Sequence, residues 1–124
     1  MGYNACLWQI EFTDEFGRWW EELTEVAQDA IAASVRLLEA LGPGLPHPHA
    51  DTLKGSKHSN MKELRTQCQG RPLRTLYAFD PRRCAILLIG GDKTGNERFY
   101  EQMLPLADRL YDEHLEQLAK EGLI

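Results

Sequence analysis

At 124 residues, 43% of them hydrophobic and 27% charged, the chain has the size and make-up of one globular domain, with no room for a second. Its longest apolar run, Cys84 to Ile89, is strand-length, far short of the ~20 residues of a membrane-spanning helix. The acidic start (Glu11, Asp14, Glu15, with no Lys or Arg before Arg18) is not that of a secretory leader, so the cytoplasm is the expected compartment. The formal net charge is −5, dealt unevenly. Residues 1–41 hold eight acids and two bases, residues 51–98 five acids and ten bases, and residues 99–124 six acids and two bases. That is the pattern of a basic face flanked by acidic helices, unless the clusters average out in space.

In chain order, Leu7 to Phe12 carries aromatic and β-branched residues in rough alternation and reads as a first strand. Phe12, Phe16, Trp19, Trp20 and Leu23 recur at helical spacing and predict a short helix. Thr24 offers an N-cap for a second helix, whose stripe runs through Ala27, Ala30, Ile31, Ser34, Leu37, Leu38 and Leu41. Gly42-Pro43-Gly44 stops it. From Leu45 to Ser59 the composition is that of a loop. Three strands follow, Met61 to Gln69, Pro72 to Phe79 and Cys84 to Gly90, turned at Gly70-Arg71 and at Asp80-Pro81-Arg82-Arg83. The last strand is apolar on both faces, so it belongs inside the sheet with helices over it. Thr94 to Glu97 matches a capping box ahead of a final helix, in which Pro105 predicts a kink or a restart. The expected fold is α+β, in the order β-α-α-β-β-β-α.

The chemistry-bearing residues fall in the basic block. Arg65 and Arg74 sit on neighbouring strands and Lys93 closes the next, so three cations can converge on one face of the sheet. A phosphoryl site needs such fixed cations, because negative charge grows on the phosphate oxygens in the transition state. A solvated sheet face gives the same pattern. His47-Pro48-His49 with His58 matches no zinc spacing and reads as a surface loop. Gly90-Gly91 lacks the Lys-Ser/Thr of a phosphate loop and reads as a strand end under a closely packed helix. Cys6, Cys68 and Cys84 read as reduced, buried small hydrophobes.

Taken together, Lys62-Glu63-Leu64-Arg65, the Gly70 turn, Arg74 to Phe79, Ile86-Leu87-Leu88 running into Gly91-Asp92-Lys93, and Pro105 to Leu110 resemble the RelE/ParE superfamily, and most nearly its HigB-like, phage-protein-related branch. The resemblance runs from Trp8 to about Leu118. It implies a microbial-RNase-like fold, a twisted antiparallel sheet with two N-terminal helices packed on it and a C-terminal helix. It also implies the toxin of a type II toxin–antitoxin pair, cleaving mRNA on the ribosome by attack of a ribose 2′-OH on the adjacent phosphate. That reaction calls for no metal or cofactor. A helix-turn-helix antitoxin would be the partner, in a toxin–antitoxin hetero-oligomer. By the same resemblance Arg65, Arg74 and Lys93 are the catalytic cations. Lys54, Lys57, Lys62, Arg82 and Arg83 are the candidate RNA-binding residues. Tyr100, Tyr111 and His114 are the candidates for the acid or base, with none singled out. Two other readings stay open at this point, a ParE-like poison of DNA gyrase and an inactive phage-derived relative.

Overall fold

A computed structural model describes residues 6–124. Its elements are β1 (Ile10–Phe12), α1 (Asp14–Glu21), α2 (Glu25–Leu41), a 3-10 turn at Gly42–Gly44, β2 (Ala50–Thr52), β3 (Lys62–Cys68), β4 (Arg71–Phe79), β5 (Ala85–Asp92) and α3 (Phe99–Lys120). The strands form one sheet in the order β1-β5-β4-β3-β2. The β2–β3, β3–β4 and β4–β5 pairs are antiparallel, whereas β1 lies parallel to β5. The sheet is therefore mixed rather than antiparallel throughout. Parallel pairing needs a crossover, and α1 with α2 begins it.

Hydrogen bonds made early in the chain explain where its first helices start. Thr13 caps α1, its Oγ1 accepting from Phe16 N (3.0 Å) and donating to the Leu88 carbonyl (2.6 Å). That one hydroxyl ties the helix start to β5. Thr24 caps α2 in the same way through Ala27 N (3.2 Å), as the sequence predicts. Gly42 ends α2 at φ +57°, and a Cβ there would lie 2.4 Å from the Trp8 ring. Glycine is required on both counts.

Strand alternation sorts the core into two layers, one on each side of the sheet. Against α1 and α2 lie Leu64, Leu73, Tyr77, Ala85 and Leu87, packed with Phe16, Ala27, Ile31 and Leu38. Against α3 lie Met61, Leu76, Ala78, Ile86 and Leu88, packed with Phe99, Leu104, Ala107, Leu110 and Tyr111. The doubly apolar β5 is thus paired on both edges and covered on both faces. A bulge shifts its register: Leu76 faces Ile89 but Tyr77 faces Leu87. Because side chains alternate with period two, the extra residue turns Gly91 onto the α3 face beside Arg74 and Gly90 onto the other. A Cβ on Gly90 would meet Trp19 at 2.1 Å, and one on Gly91 would meet Phe99 at 2.8 Å. The glycine pair marks a strand end under closely packed helices, as expected.

Five local expectations are corrected. The stretch read as loop contains β2, whose three residues are too few to show alternation. Strand β1 begins at Ile10, because Trp8 N is spent on the Glu39 carbonyl (2.8 Å) instead of a strand partner. Thr94 does not cap α3: its amide and hydroxyl both bond Asp92 Oδ1 (2.9 and 2.6 Å), and the helix starts five residues later. The helix also continues through Pro105 with no restart; Pro105 is exposed, as is Glu101, whose carbonyl loses its amide partner. Of the cysteines, Cys68 and Cys84 are buried but Cys6 is exposed.

Candidate functional site

Arg65 on β3 and Arg74 on β4 are direct cross-strand neighbours, with both side chains on the α3 face. Two like charges so placed repel each other unless a counter-charge sits between them. Glu63, two residues before Arg65 and on the same face, supplies it. Its side chain is only 3% exposed and is an ion-pair partner of both arginines. Arg65 Nε donates to Glu63 Oε2 (3.1 Å), while Arg74 Nε lies 3.4 Å from Oε1. Tyr100, in the first turn of α3, donates its hydroxyl to Glu63 Oε1 (2.5 Å). Burial, reinforced by the hydrogen bond to Glu63, pushes the Tyr100 phenol up against the opposing pull of Arg74. Lys93 lies with Nζ 5.2 Å from the centre of the Tyr100 ring, a cation–π contact. The three cations named from the sequence therefore meet around one buried carboxylate and one phenol.

Beyond Glu63, the two arginines differ in their free capacity. Arg65 also donates from Nη2 to Asp51 Oδ2 (3.2 Å) and from Nη1 to His47 Nε2 (3.2 Å). Arg74 gives Nη1 to the Leu73 carbonyl (3.1 Å), and its buried Nε has no aligned acceptor. Its one ion-pair partner among the described residues is Glu63. Beside the pair an open groove of about 580 Å³ runs between α2 and the edge of β3, lined by Ala30, Ser34, Pro48, His49, Arg65 and Arg74.

The remaining sequence candidates lie elsewhere. Tyr111 and His114 sit about 16 and about 21 Å beyond Tyr100 along α3, at ~1.5 Å per residue. There the Tyr111 hydroxyl donates to the Phe79 carbonyl (3.2 Å), and His114 Nε2 meets buried Asp80 Oδ2 (2.9 Å). Burial raises the Tyr111 phenol. Arg82 is clamped between Glu11 (2.8 Å) and Asp80 (2.7 Å), which raises its pKa further. Arg83 covers the Trp8 ring at 5.1 Å. Both arginines belong to the β4–β5 turn, at the opposite end of β4 from Arg74 and about 17 Å away at ~3.4 Å per residue. Lys57 is exposed and paired with Asp112, which raises the lysine. Lys54 is exposed in the β2–β3 loop, and Lys62 points to the α1–α2 face. The five named RNA-binding candidates thus form no single surface with the three cations.

Three participants were not singled out from the sequence: Glu63, Asp51 and His47. Glu63 had a signal, since alternation alone puts it beside Arg65 on one face. Asp51 and His47 had none, because only the unforeseen β2 carries that loop to Arg65.

A mixed sheet with two helices on one face and a long C-terminal helix on the other is the fold of the RelE toxins. A variant of the E. coli toxin RelE in the free state superposes with a TM-score of 0.54 at 10% identity, covering 77% of this chain and 93% of that one. Residues 18–112 match the family described as phage derived protein Gp49-like, and the chain belongs to that family. Its relatives include toxin HigB2 of Mycobacterium tuberculosis, 41% identical over 106 residues. That match covers 84% of this chain and 53% of HigB2, so the chain spans about half the length of that relative. Toxin HigB3 of the same organism is 45% identical over 93 residues, 74% of this chain and 80% of HigB3. The resemblance read from the sequence is borne out at the level of family and fold. Among the described residues, no helix is long and apolar enough to cross a membrane.

Proposed function

We propose that the chain is the toxin of a type II toxin–antitoxin pair and works as an endoribonuclease on ribosome-bound mRNA in the cytoplasm. The observation that carries this reading is the meeting of Arg65, Arg74 and Lys93 at Tyr100, on one face of a RelE-like fold in a chain related to HigB toxins. The RNA brings its own nucleophile. As the 2′-oxygen attacks the neighbouring phosphorus, charge builds on the non-bridging oxygens and three preset cations stabilise it. Arg74, paired with Glu63 alone among the described residues, keeps more of its charge for that task than Arg65 does. The bond to the 5′-oxygen then breaks, leaving a 2′,3′-cyclic phosphate and a 5′-hydroxyl. Tyr100, kept protonated beside the cations, would give up its bond to Glu63 and supply the proton that the leaving oxygen takes. A helix-turn-helix antitoxin with acidic side chains would silence the toxin by covering the same cations, in a hetero-oligomer.

The test uses Lys93→Ala, because Lys93 is half-buried and holds no ion pair among the described residues, so its removal spares the fold. Induced wild-type protein should arrest growth and cut transcripts, and the gene beside it should restore growth. The variant should lose ~10²-fold or more of the cleavage with its melting temperature unchanged. Uncut transcripts together with an induced DNA-damage reporter would establish a gyrase poison instead.

A further inference from the structure

Attack by the 2′-OH needs a group to take its proton, and none of the three acid/base candidates fits. The Tyr100 hydroxyl already donates to Glu63 and its phenol is kept protonated. Tyr111 and His114 lie at the far end of α3 on Phe79 and Asp80. Of the other imidazoles, His58 is tied to Asp112 (2.8 Å) and packs edge-on against Tyr111. His49 lines the groove, but its ring bonds neither Arg65 nor Asp51.

We propose that His47, paired with Asp51 and set beside the phosphate position by Arg65, is the proton acceptor of the cleavage step. The inference rests on the nuclease reading above. Its basis is the polarity of one contact. A guanidinium can only donate, so His47 Nε2, 3.2 Å from Arg65 Nη1, presents a lone pair there and the ring N–H sits on Nδ1. The acceptor nitrogen of the ring thus lies at the edge of the cation cluster. The same Nε2 is 3.6 Å from Asp51 Oδ2. Once Nε2 takes a proton it can no longer accept from Arg65, and the carboxylate is at hand to hold the imidazolium. Each protonation state thus has its own partner, as a group that cycles between them requires. The charged groups facing the ring are Asp51 on β2 and Arg65 on β3, with Glu63 behind the latter. The His47 side chain is 64% exposed, open to a ribose bound beside Arg65.

The step balances without a further reactant. His47 Nε2 releases Arg65 and takes the 2′-O–H proton as the 2′-oxygen bonds to phosphorus. The P–O5′ bond breaks and the 5′-oxygen takes a proton from Tyr100 or water. His47 then returns its proton to solvent.

The experiment measures cleavage of mRNA on programmed ribosomes across pH 5 to 9 for wild type, His47→Gln, His49→Gln and Asp51→Asn, with a melting curve for each. His47→Gln should lower kcat by ~10²–10⁴-fold with KM little changed. Its profile should lose the acid limb that marks protonation of the acceptor, and its melting temperature should match wild type because the side chain is exposed. Asp51→Asn should lower kcat less and move the acid limb to lower pH, since the imidazolium loses its carboxylate. If wild type cleaves and His47→Gln keeps its kcat and acid limb, or if His49→Gln loses the limb instead, the assignment to His47 is wrong and the nuclease reading stands. If wild type cuts no RNA at any pH, the nuclease reading itself fails.

Discussion

Replacing Glu63 by alanine should be the most costly single change at the site. The side chain is almost wholly buried and ties together Arg65, Arg74 and Tyr100. Its removal leaves Arg74, whose side chain is 12% exposed, without a counter-charge. Breaking a buried ion pair from one side typically costs about 3–5 kcal/mol, because the surviving charge stays buried and uncompensated. Arg65 keeps Asp51 as a partner, which argues for the lower end of that range. The stranded Tyr100 hydroxyl adds about 1 kcal/mol. A loss of about 4 kcal/mol is a large part of the 5–15 kcal/mol of an ordinary domain. At roughly 4 °C per kcal/mol for a chain of this size, the melting temperature should drop by about 15 °C. Urea unfolding followed by far-UV circular dichroism gives the energy, and thermal melts give the shift. The double variant Glu63→Leu with Arg74→Met should recover much of the loss, since matched apolar groups replace a buried pair well. An alanine variant that melts within about 3 °C of wild type would falsify the picture of Glu63 as the anchor of these arginines.

Two further outcomes are expected. Asp80 is buried, which by itself would raise its pKa, but hydrogen bonds from Arg82, His114 and the Arg82 and Cys84 amides prevail and hold it below the ordinary carboxylate range. A depressed folded-state value adds stability above the unfolded-state value near 3.9, and that stability is lost as pH falls through the folded-state value. Wild type should therefore weaken steeply below about pH 4. Asp80→Asn should be less stable by about 2–4 kcal/mol at pH 7 and less sensitive to acid, as urea midpoints from pH 7 to 3 would show. An unchanged acid slope in the asparagine variant would remove Asp80 as the cause. Gly90→Ala forces a methyl to within 2.1 Å of the Trp19 ring and should cost about 1–3 kcal/mol, readable as a lower melting temperature and altered tryptophan emission. A neutral result would mean that Trp19 can swing aside at no cost.

The sequence showed most plainly what depends on neighbours along the chain. Thr24 with its apolar stripe defined α2, and Gly42-Pro43-Gly44 ended it, because caps and stops act within a turn. The double-faced apolar run of β5 placed it inside the sheet for the same local reason. What stayed hidden is set by partners distant in sequence. Strand β1 finds β5 more than 70 residues away, and nothing in Ile10–Phe12 encodes a parallel partner. The hydroxyl of Thr94, a plausible cap by spacing, is taken by Asp92 two residues earlier, a competition the capping pattern does not register. The site divides along the same line. Alternation brings Arg65 and Arg74 to one face, and the β5 bulge opens the space beside Arg74 by presenting Gly91 there. The pair is more than a solvated row of cations: Arg65 is 28% and Arg74 12% exposed, and buried Glu63 lies between them. Convergence of cations on a sheet is thus only half of a site. A buried carboxylate has to hold them in place, and the more firmly it does so the less of their charge is left for a substrate. Arg65, with three partners, has little free capacity, whereas Arg74 forms an ion pair with Glu63 alone among the described residues. On that ground Arg74 and Lys93 should make the larger contribution to holding a phosphate, with Arg65 positioning the imidazole at its edge.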